Sequence, residues 1–362
     1  MSNSDVRTAG QWRRRLPQIL AAMTVAALLA WIAVGIWWDA PRAWATLLTD
    51  FLFLSSLSAG LVVWPAIVVV SRGKWMGPTQ RTALAGVVLL PVCVLMLLVL
   101  ILGGRYWAPW LGRSLPNSWW LDARFLFPRD VISLVVFTGL AWWFASAMSR
   151  GRQPRRLAAW LILAYAIAFS ILGIDLGMAL DPHWYSQAFG VYFFISGLYI
   201  AMAGWMFITA VADETAKPGQ LQDQAKLLIT FSMLTAYLMY SQLLPIWYEN
   251  MPHETRFLVP RMNAVTRWPV ISAILLGVVY LGPLVLLLPH RAKRSARYVA
   301  TVAALVLAGM WVERWWLVMP SLGKPLGFGL AEIAGIVALL AGGLLFVHWA
   351  RGIRHGNQPQ SA

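Results

Sequence analysis

The sequence predicts an all-α polytopic membrane protein with about ten transmembrane helices, arranged as two parallel four-helix repeats plus peripheral first and last helices. Three observations lead to this fold class. Apolar residues make up 60% of the chain and charged residues only 12%, a composition outside the range of soluble domains. Ten apolar runs approach the roughly 20 residues that a helix needs to cross the hydrocarbon core. A short motif also occurs twice.

The ten runs fill nearly the whole chain and leave almost no room for a soluble domain. The first run follows Arg13, Arg14 and Arg15 as in a signal sequence, but its length and its bulky end at Trp37 and Trp38 predict a retained helix. The predicted spans are 17–38, 45–70, 82–102, 131–148, 157–180, 188–211, 227–246, 268–288, 298–319 and 330–347.

The repeated motif is a hexapeptide that precedes two of these runs. Arg-Phe-Leu-Phe-Pro-Arg at 124–129 returns as Arg-Phe-Leu-Val-Pro-Arg at 256–261. After each copy come an apolar run, a basic loop and another apolar run that ends with an acid seven residues before a proline. The acids are Asp175 and Glu313. These flanks indicate an internal duplication, and a duplication determines how the rest of the fold is interpreted.

The duplication predicts four segments. Residues 45–180 and 188–320 form the two four-helix bundles, and residues 1–44 and 329–362 carry the peripheral first and last helices. Both bundles begin outside, as in parallel repeats related by an axis along the membrane normal. The alternative is that unrelated membrane helices reuse similar residues at the interface.

Charge placement predicts the orientation. With a cytoplasmic N-terminus, the inner segments hold 19 of the 29 Lys and Arg residues, so both termini are predicted to be cytoplasmic by the positive-inside rule. The net charge of +15 then lies on the cytoplasmic side. It indicates contact with anionic membrane lipids and gives no case for nucleic acid.

Cysteine and histidine usage limits the cofactors. Cys93 is the single cysteine, so the chain can hold neither an internal disulfide nor an iron–sulfur cluster. Of the five histidines, only His348 lies near the end of a span, without a partner for haem ligation. The sequence therefore predicts that this chain binds no cofactor or metal of its own and does not catalyse a reaction alone.

Two acids near membrane depth are the first candidates for function. Asp175 and Glu313 lie inside the outer halves of their helices, where an ionised carboxylate is costly unless it is paired or hydrated. One interpretation is that they take up and release protons. The other is a structural ion pair with Arg129 or Arg261 of the repeated motif. For Glu313, Arg314 is also close, although adjacent residues of a helix do not face each other.

Further candidates lie at the outer interface. Asp181, His183, Glu249 and His253 combine acids and histidines that relay protons well, and Asp130 is a candidate partner of the buried acids. The alternative for Asp181, His183, Glu249 and His253 is solvated loop charge.

The seventh span is too polar for a helix that faces only lipid, so its polar groups are expected to face protein or water. They form either a hydrated path or hydrogen bonds to neighbouring helices. The residues are Thr230, Ser232, Thr235, Tyr237, Tyr240, Ser241 and Gln242.

Two outer segments resemble a known family. Met-Ala-Leu-Asp-Pro-His-Trp-Tyr-Ser-Gln-Ala-Phe-Gly-Val-Tyr-Phe-Phe at 178–194 and Ser-Gln-Leu-Leu-Pro-Ile-Trp-Tyr-Glu-Asn-Met-Pro-His-Glu-Thr at 241–255 are similar to signatures of NrfD-like integral membrane subunits of bacterial alternative complex III. A weaker similarity covers 311–320. The chain departs from the family pattern at His253, where an acid is expected, and at Pro245, where an aliphatic residue is expected.

The resemblance implies a subunit of a quinol:electron acceptor oxidoreductase in the bacterial cytoplasmic membrane. Its implied roles are quinone binding, proton translocation or docking of partners. Implied partners are a related, larger NrfD-like subunit, iron–sulfur and c-haem proteins that carry the electrons, and, as a further candidate, a cytochrome oxidase.

Two functions from other classes remain as alternatives. A secondary transporter also has repeats and membrane-buried acids, and it predicts broken helices in matching spans of the two halves. A purely structural membrane anchor predicts dry packing around Asp175.

Overall fold

Helices make up the regular structure of the chain in the computed structural model, which describes residues 3–115, 118–212, 216–249 and 254–356. Within those residues no strand occurs, and ten helices are long and apolar enough to cross a membrane. The all-α, ten-span architecture is therefore confirmed. The spans are Arg15–Trp37, Ala40–Val70, Gly77–Leu102, Ala123–Ser149, Arg155–Leu180, Phe189–Ala212, Pro218–Glu249, Trp268–Leu286, Ala296–Val318 and Leu330–Trp349.

Contacts divide the chain into two compact units. One consists of Met1–Thr46 with Gly327–Ala362 and the other of Leu47–Leu326. In the first unit, spans one and ten pack against each other, and Arg42 Nε lies 2.7 Å from Glu332 Oε1. The further division of 45–320 into two four-helix bundles stays a prediction.

The core of the larger unit lies along the second and sixth spans, which are each 78% buried over their most apolar stretch, against 22–39% for the third to fifth and seventh to ninth spans. The two helices approach closely because glycine leaves space: a Cβ on Gly60 would lie 2.4 Å from Ala201 Cβ. Trp64 Nε1 donates to Leu198 O at 2.9 Å. Small residues at such a crossing are typical of membrane helix packing.

Two spans are irregular. The third contains a 3₁₀ turn, Ala85–Leu89, before its last helical stretch, Leu90–Leu102. The eighth contains a π-helical stretch, Leu275–Tyr280. Under the predicted duplication the third span corresponds to the seventh and the eighth to the fourth, so the two irregular spans are not counterparts.

The two hexapeptide copies differ in conformation. The first lies inside the fourth span, which begins at Ala123, eight residues before the predicted start, because the Asp122 side chain accepts from Arg124 N at 2.8 Å and caps the helix. The second copy is split between a 3₁₀ turn, Thr255–Phe257, and a one-turn helix, Val259–Met262. Asn263 ends that helix, since its side chain accepts from Val265 N at 3.0 Å.

Candidate functional site

The last arginine of each hexapeptide lies over the aromatic ring four residues before it. The guanidinium carbon of Arg129 is 4.6 Å from the ring centroid of Phe125, and that of Arg261 is 3.7 Å from the centroid of Phe257. Each is thus held by a cation–π contact, although the surrounding backbone differs. From these two arginines the candidate residues separate into two buried clusters.

The first cluster centres on Asp175. Arg129 Nη2 lies 2.5 Å from Asp175 Oδ2, and Trp120 Nε1 donates to Asp175 Oδ1 at 2.8 Å. The guanidinium of Arg129 also lies over the Trp120 ring, 3.8 Å from its centroid. Both oxygens of this fully buried carboxylate therefore have donors, and Trp120 fixes the arginine and the acid together.

Asp130 adds a second carboxyl to this cluster. Its side chain is fully buried, and neither of its oxygens has a hydrogen-bond partner within the described residues. Its charged neighbours are Asp175, which repels its ionised form, and Arg129, which attracts it. Two buried carboxyl groups thus share one arginine, so the three groups carry a net charge of −1 unless one acid binds a proton. The pair resembles carboxyl dyads that hold a single proton because two like charges cannot both ionise at short range.

The second cluster centres on Glu313, which is fully buried. Arg314 Nη1 lies 2.8 Å from Glu313 Oε2, and neither side chain is exposed. Tyr192 donates its hydroxyl to Glu313 Oε1 and lies 3.1 Å from the hydroxyl oxygen of Tyr280. The arginine next to Glu313 in sequence, rather than Arg261, is therefore its direct ion-pair partner.

Arg314 can pair with the adjacent Glu313 because Ser196 accepts a hydrogen bond from the other terminal nitrogen of the guanidinium. Its Nη2 donates to Ser196 Oγ at 2.8 Å, and its guanidinium carbon lies 4.4 Å from the centroid of Phe193. The guanidinium thus spans the gap between the sixth and ninth spans.

Arg261 lies beside the second cluster, with only 1% of its surface exposed. Its guanidinium donates to neutral acceptors: Phe257 O at 2.7 Å, and Leu317 O and Ser321 Oγ at 2.8 Å each. Burial lowers the pKa of Arg261 to about 9, against the opposing attraction of Asp181 and Glu313. A guanidinium with that pKa is still protonated at neutral pH, so Arg261 adds a fixed positive charge.

Two backbone carbonyl groups of the π-helical stretch accept hydrogen bonds near the second cluster. Val279 O accepts from the Tyr199 hydroxyl at 2.6 Å, and Tyr280 O accepts from Ser232 Oγ. Inserting a residue into a helix turn displaces carbonyl groups in this way, and such bulges are frequent at functional sites.

A cavity on the side predicted to lie outside, called here the outer cavity, collects the loop candidates. It has a volume of about 500 Å³ and is lined by segments from four loops at one end of the larger unit, including Asp181, His183 and Arg256. Asp181 Oδ2 lies 3.4 Å from Arg256 Nε. The structure therefore brings Asp181 and His183 together in one cavity. Among the described residues, no hydrogen bond or ion pair joins them to Asp130 or Asp175.

The remaining candidates contribute less. Glu249 is exposed at the end of the seventh span, and His253 lies outside the described residues. Among the polar groups of the seventh span, Ser232, Thr235 and Gln242 are buried, as expected. Tyr237 and Tyr240, however, are 63% and 60% exposed, so most of each side chain does not contact the rest of this chain.

Three residues of the two clusters were not predicted, and neither was the buried Asp50, which lies outside both clusters. Nothing in the sequence distinguishes Trp120 or Tyr280 from the many other aromatic residues. Tyr192, in contrast, lies in the segment 178–194 that carries the family resemblance. Asp50, at the start of the second span, accepts from Trp311 Nε1 at 2.8 Å. Its position inside a span was the signal that could have found it.

No group of three or more His, Cys, Asp or Glu side chains is arranged to hold a metal ion within the described residues. The clusters can instead hold charge and protons: one dyad with an arginine, and one acid between two arginines and two tyrosines.

Comparison with known families gives one match. A family profile described as "Polysulphide reductase, NrfD" matches residues 38–324, which include both hexapeptides, both clusters and the outer cavity. No protein in a curated collection matches the chain significantly.

Proposed function

The chain belongs to the NrfD family, and from that membership and the two buried clusters we propose that it is the ActF-like membrane subunit of a bacterial alternative complex III. Members of the family are typically quinone-interacting membrane subunits of redox complexes and usually work with iron–sulfur or other redox subunits. The proposal adds a specific complex, in which this chain is not catalytic alone and handles protons released when quinol is oxidised.

The similarity of residues 178–194 and 241–255 to the signatures of that complex supports this assignment. In the proposed assembly, iron–sulfur clusters and c-type haems belong to partner subunits, a related NrfD-like subunit lies in the same membrane, and a cytochrome oxidase is a further partner. We place the chain in the bacterial cytoplasmic membrane with both termini cytoplasmic, as its charge distribution favours.

One observation carries the proton role: Asp130 and Asp175 are neighbouring buried carboxyl groups in a site that holds one arginine. With both acids ionised the site has one negative charge too many, and binding a single proton makes it neutral. A low-dielectric site favours the neutral state. We therefore propose that the Asp130–Asp175 pair accepts and donates one proton, while Arg129 and Trp120 hold Asp175 in place.

The proposal is tested in the assembled complex with Asp130→Asn and Asp175→Asn. We expect both variants to lower the number of protons released per electron transferred, measured beside the rate of quinol oxidation. Asp50→Asn is the matched control, since it changes a buried carboxyl outside the dyad. Unchanged oxidation and unchanged proton release in both dyad variants would contradict the proton role.

The ion pair between Arg129 and Asp175 also favours a second candidate, a structural anchor. Loss of assembly in Asp175→Asn together with normal assembly and proton release in Asp130→Asn would support that function, because only Asp175 accepts from both Arg129 and Trp120. The transporter alternative has less support, since the irregular third and eighth spans do not correspond under the repeat.

A further inference from the structure

The outward face of the seventh span carries polar groups in the middle of the membrane. Lys226 and Trp247 are 21 residues apart, a rise of about 31 Å along a helix, which matches the roughly 30 Å thickness of the hydrocarbon core. Tyr237 lies 11 residues from Lys226 and 10 from Trp247. Its backbone is therefore close to the midplane, and Tyr240 is one turn further out.

Both tyrosine side chains point away from the rest of the chain, with 63% and 60% of their surfaces exposed. No hydrogen bond to either hydroxyl is found within the described residues. A tyrosine side chain reaches about 6.5 Å from its backbone, too short to bring a hydroxyl from the midplane to the interface about 15 Å away. Aromatic belts at the membrane surface therefore do not account for Tyr237.

The neighbouring residues of this face do not form a water-filled channel. Met233 is 50% exposed and Leu244 41% exposed, and both lie on the same side of the helix as the tyrosines by the three- and four-residue spacing of helical faces. Thr230, also on this side, satisfies its hydroxyl by donating to Lys226 O at 3.0 Å. The face is thus apolar apart from the hydroxyl groups of Tyr237 and Tyr240, which have no hydrogen-bond partner among the described residues.

The other outward faces of the larger unit differ. On the fourth span, Ile132, Val136 and Trp143 are 54–65% exposed, and none of these side chains places a hydroxyl in the hydrocarbon. The exposed side chains of the third and eighth spans, such as Leu95 and Val285, are aliphatic in the same way. Lipid suits those faces, whereas a hydroxyl in hydrocarbon is costly without a hydrogen-bond partner.

We propose that the face formed by Met233, Tyr237, Tyr240 and Leu244 binds a transmembrane helix of a different subunit. That helix would present hydrogen-bond acceptors one turn apart, such as Ser, Thr, Asn or Gln side chains, to the two hydroxyls. A separate subunit is favoured over a second copy of this chain because NrfD-family proteins usually work with redox partners. The proposal rests on family membership and not on the proton role.

Site-specific photocrosslinking in native membranes tests the interface. A photoreactive phenylalanine derivative replaces Tyr237 in one variant and Val136 in the other, since Val136 is similarly exposed near the middle of the fourth span. We expect the residue-237 variant to form an adduct with a membrane-spanning helix of another subunit, and the residue-136 variant to react with lipid. Lipid adducts alone at residue 237, or an adduct with this chain or a second copy of it, would overturn the proposal.

A second measurement tests the hydroxyls themselves. Tyr237→Phe and Tyr240→Phe are each expected to weaken retention of the crosslinked subunit about threefold in detergent titrations, the effect of one average interhelical hydrogen bond in membranes. Tyr298→Phe is the control, because the Tyr298 hydroxyl donates to Leu286 O within this chain at 2.9 Å. Equal retention in all three variants would show that the hydroxyls do not bind the partner. Proton release is expected to stay normal in complexes that retain the subunit, so this outcome is separable from the proton role.

Discussion

Arg129 and Arg261 occupy the same position of the two hexapeptides, and each lies over the phenylalanine four residues before it. Their charged surroundings are opposite. Arg129 meets two carboxyl groups, of Asp175 and Asp130, whereas Arg261 is attracted by Asp181 and by Glu313, and Glu313 is already paired with a second arginine, Arg314.

Two positions of the repeat account for the contrast. The residue after the first hexapeptide is Asp130, and its counterpart after the second is Met262. The residue after Asp175 is Leu176, and its counterpart after Glu313 is Arg314. With every group ionised, Arg129, Asp130 and Asp175 therefore sum to −1, whereas Glu313, Arg314 and Arg261 sum to +1. Asp181, which also lies near Arg261, is balanced by its ion pair with Arg256.

The two net charges differ in whether proton exchange can neutralise them. A carboxyl pair becomes neutral by binding a proton, which is easily exchanged. Arginine does not give up its proton at physiological pH, and burial leaves the pKa of Arg261 at about 9. The comparison teaches that the first half is suited to exchange protons and the second to hold a fixed positive charge.

The largest effect is expected from Arg314→Leu, which gives the second half the residue found in the first. Glu313 would keep Tyr192 but lose its ion pair, and removing one partner of a buried pair costs about 3–5 kcal/mol. The measurement is the thermal stability of the purified complex. Arg256→Leu, which removes a half-exposed ion pair with Asp181, should cost at most about 1 kcal/mol, and equal losses would argue against a dry second cluster.

The next largest effect is a difference in stability between variants of the two acids, Asp175 and Asp130. Asp175→Asn weakens charge-assisted bonds from Arg129 and Trp120 and should cost about 1.5–3 kcal/mol. Asp130→Asn should leave stability unchanged or slightly raised, because Asp130 accepts no hydrogen bond within the described residues and the neutral amide removes its charge repulsion with Asp175. Denaturation of the two variants side by side decides this, and a larger loss in Asp130→Asn would break the proposed arrangement.

A smaller effect is expected from Trp120→Phe. The ring over Arg129 is retained, but Asp175 loses the donor at 2.8 Å, which should cost about 1–2 kcal/mol and change proton release. Trp316→Phe is the control in the second half, where the lost bond goes from Trp316 Nε1 to Ser272 Oγ at 2.9 Å. A change in proton release with Trp316→Phe of the same size would remove the distinction between the halves.

The smallest effect is expected from removing the cation–π contact that both halves contain. Phe125→Leu and Phe257→Leu each remove a cation–π contact, at a cost of about 0.5 kcal/mol for the half-exposed Phe125 and about 1 kcal/mol for the buried Phe257. Neither should alter proton release by itself. Thermal stability and proton counts on the two variants check this, and a proton effect of Phe257→Leu alone would place function in the second half.

The spans could be predicted from sequence because hydrocarbon thickness sets the length of an apolar helix. The ion pair of Asp175 with Arg129 was one of two interpretations, since a buried acid near membrane depth needs a partner. The contacts that distinguish the halves were harder to see. The proposed proton site depends on Asp130 and Asp175 approaching each other from different helices, and periodicity does not give their distance.

Two other features escaped sequence reasoning for physical reasons. Glu313 and Arg314 are adjacent and would not face each other along a regular helix surface, so their pairing depends on side-chain length and on Ser196. The outward direction of Tyr237 depends on the rotation of the seventh span, which its polar residues on several sides left undetermined.

Infrared difference spectroscopy on the assembled complex at neutral pH tests the central contrast most directly. The wild-type spectrum minus that of Asp130→Asn should contain the carbonyl band of a protonated carboxylic acid, shifted by deuterium exchange, whereas the difference with Glu313→Gln should contain only carboxylate bands. A missing acid band in the Asp130→Asn difference, or an acid band assigned to Glu313, would contradict the account.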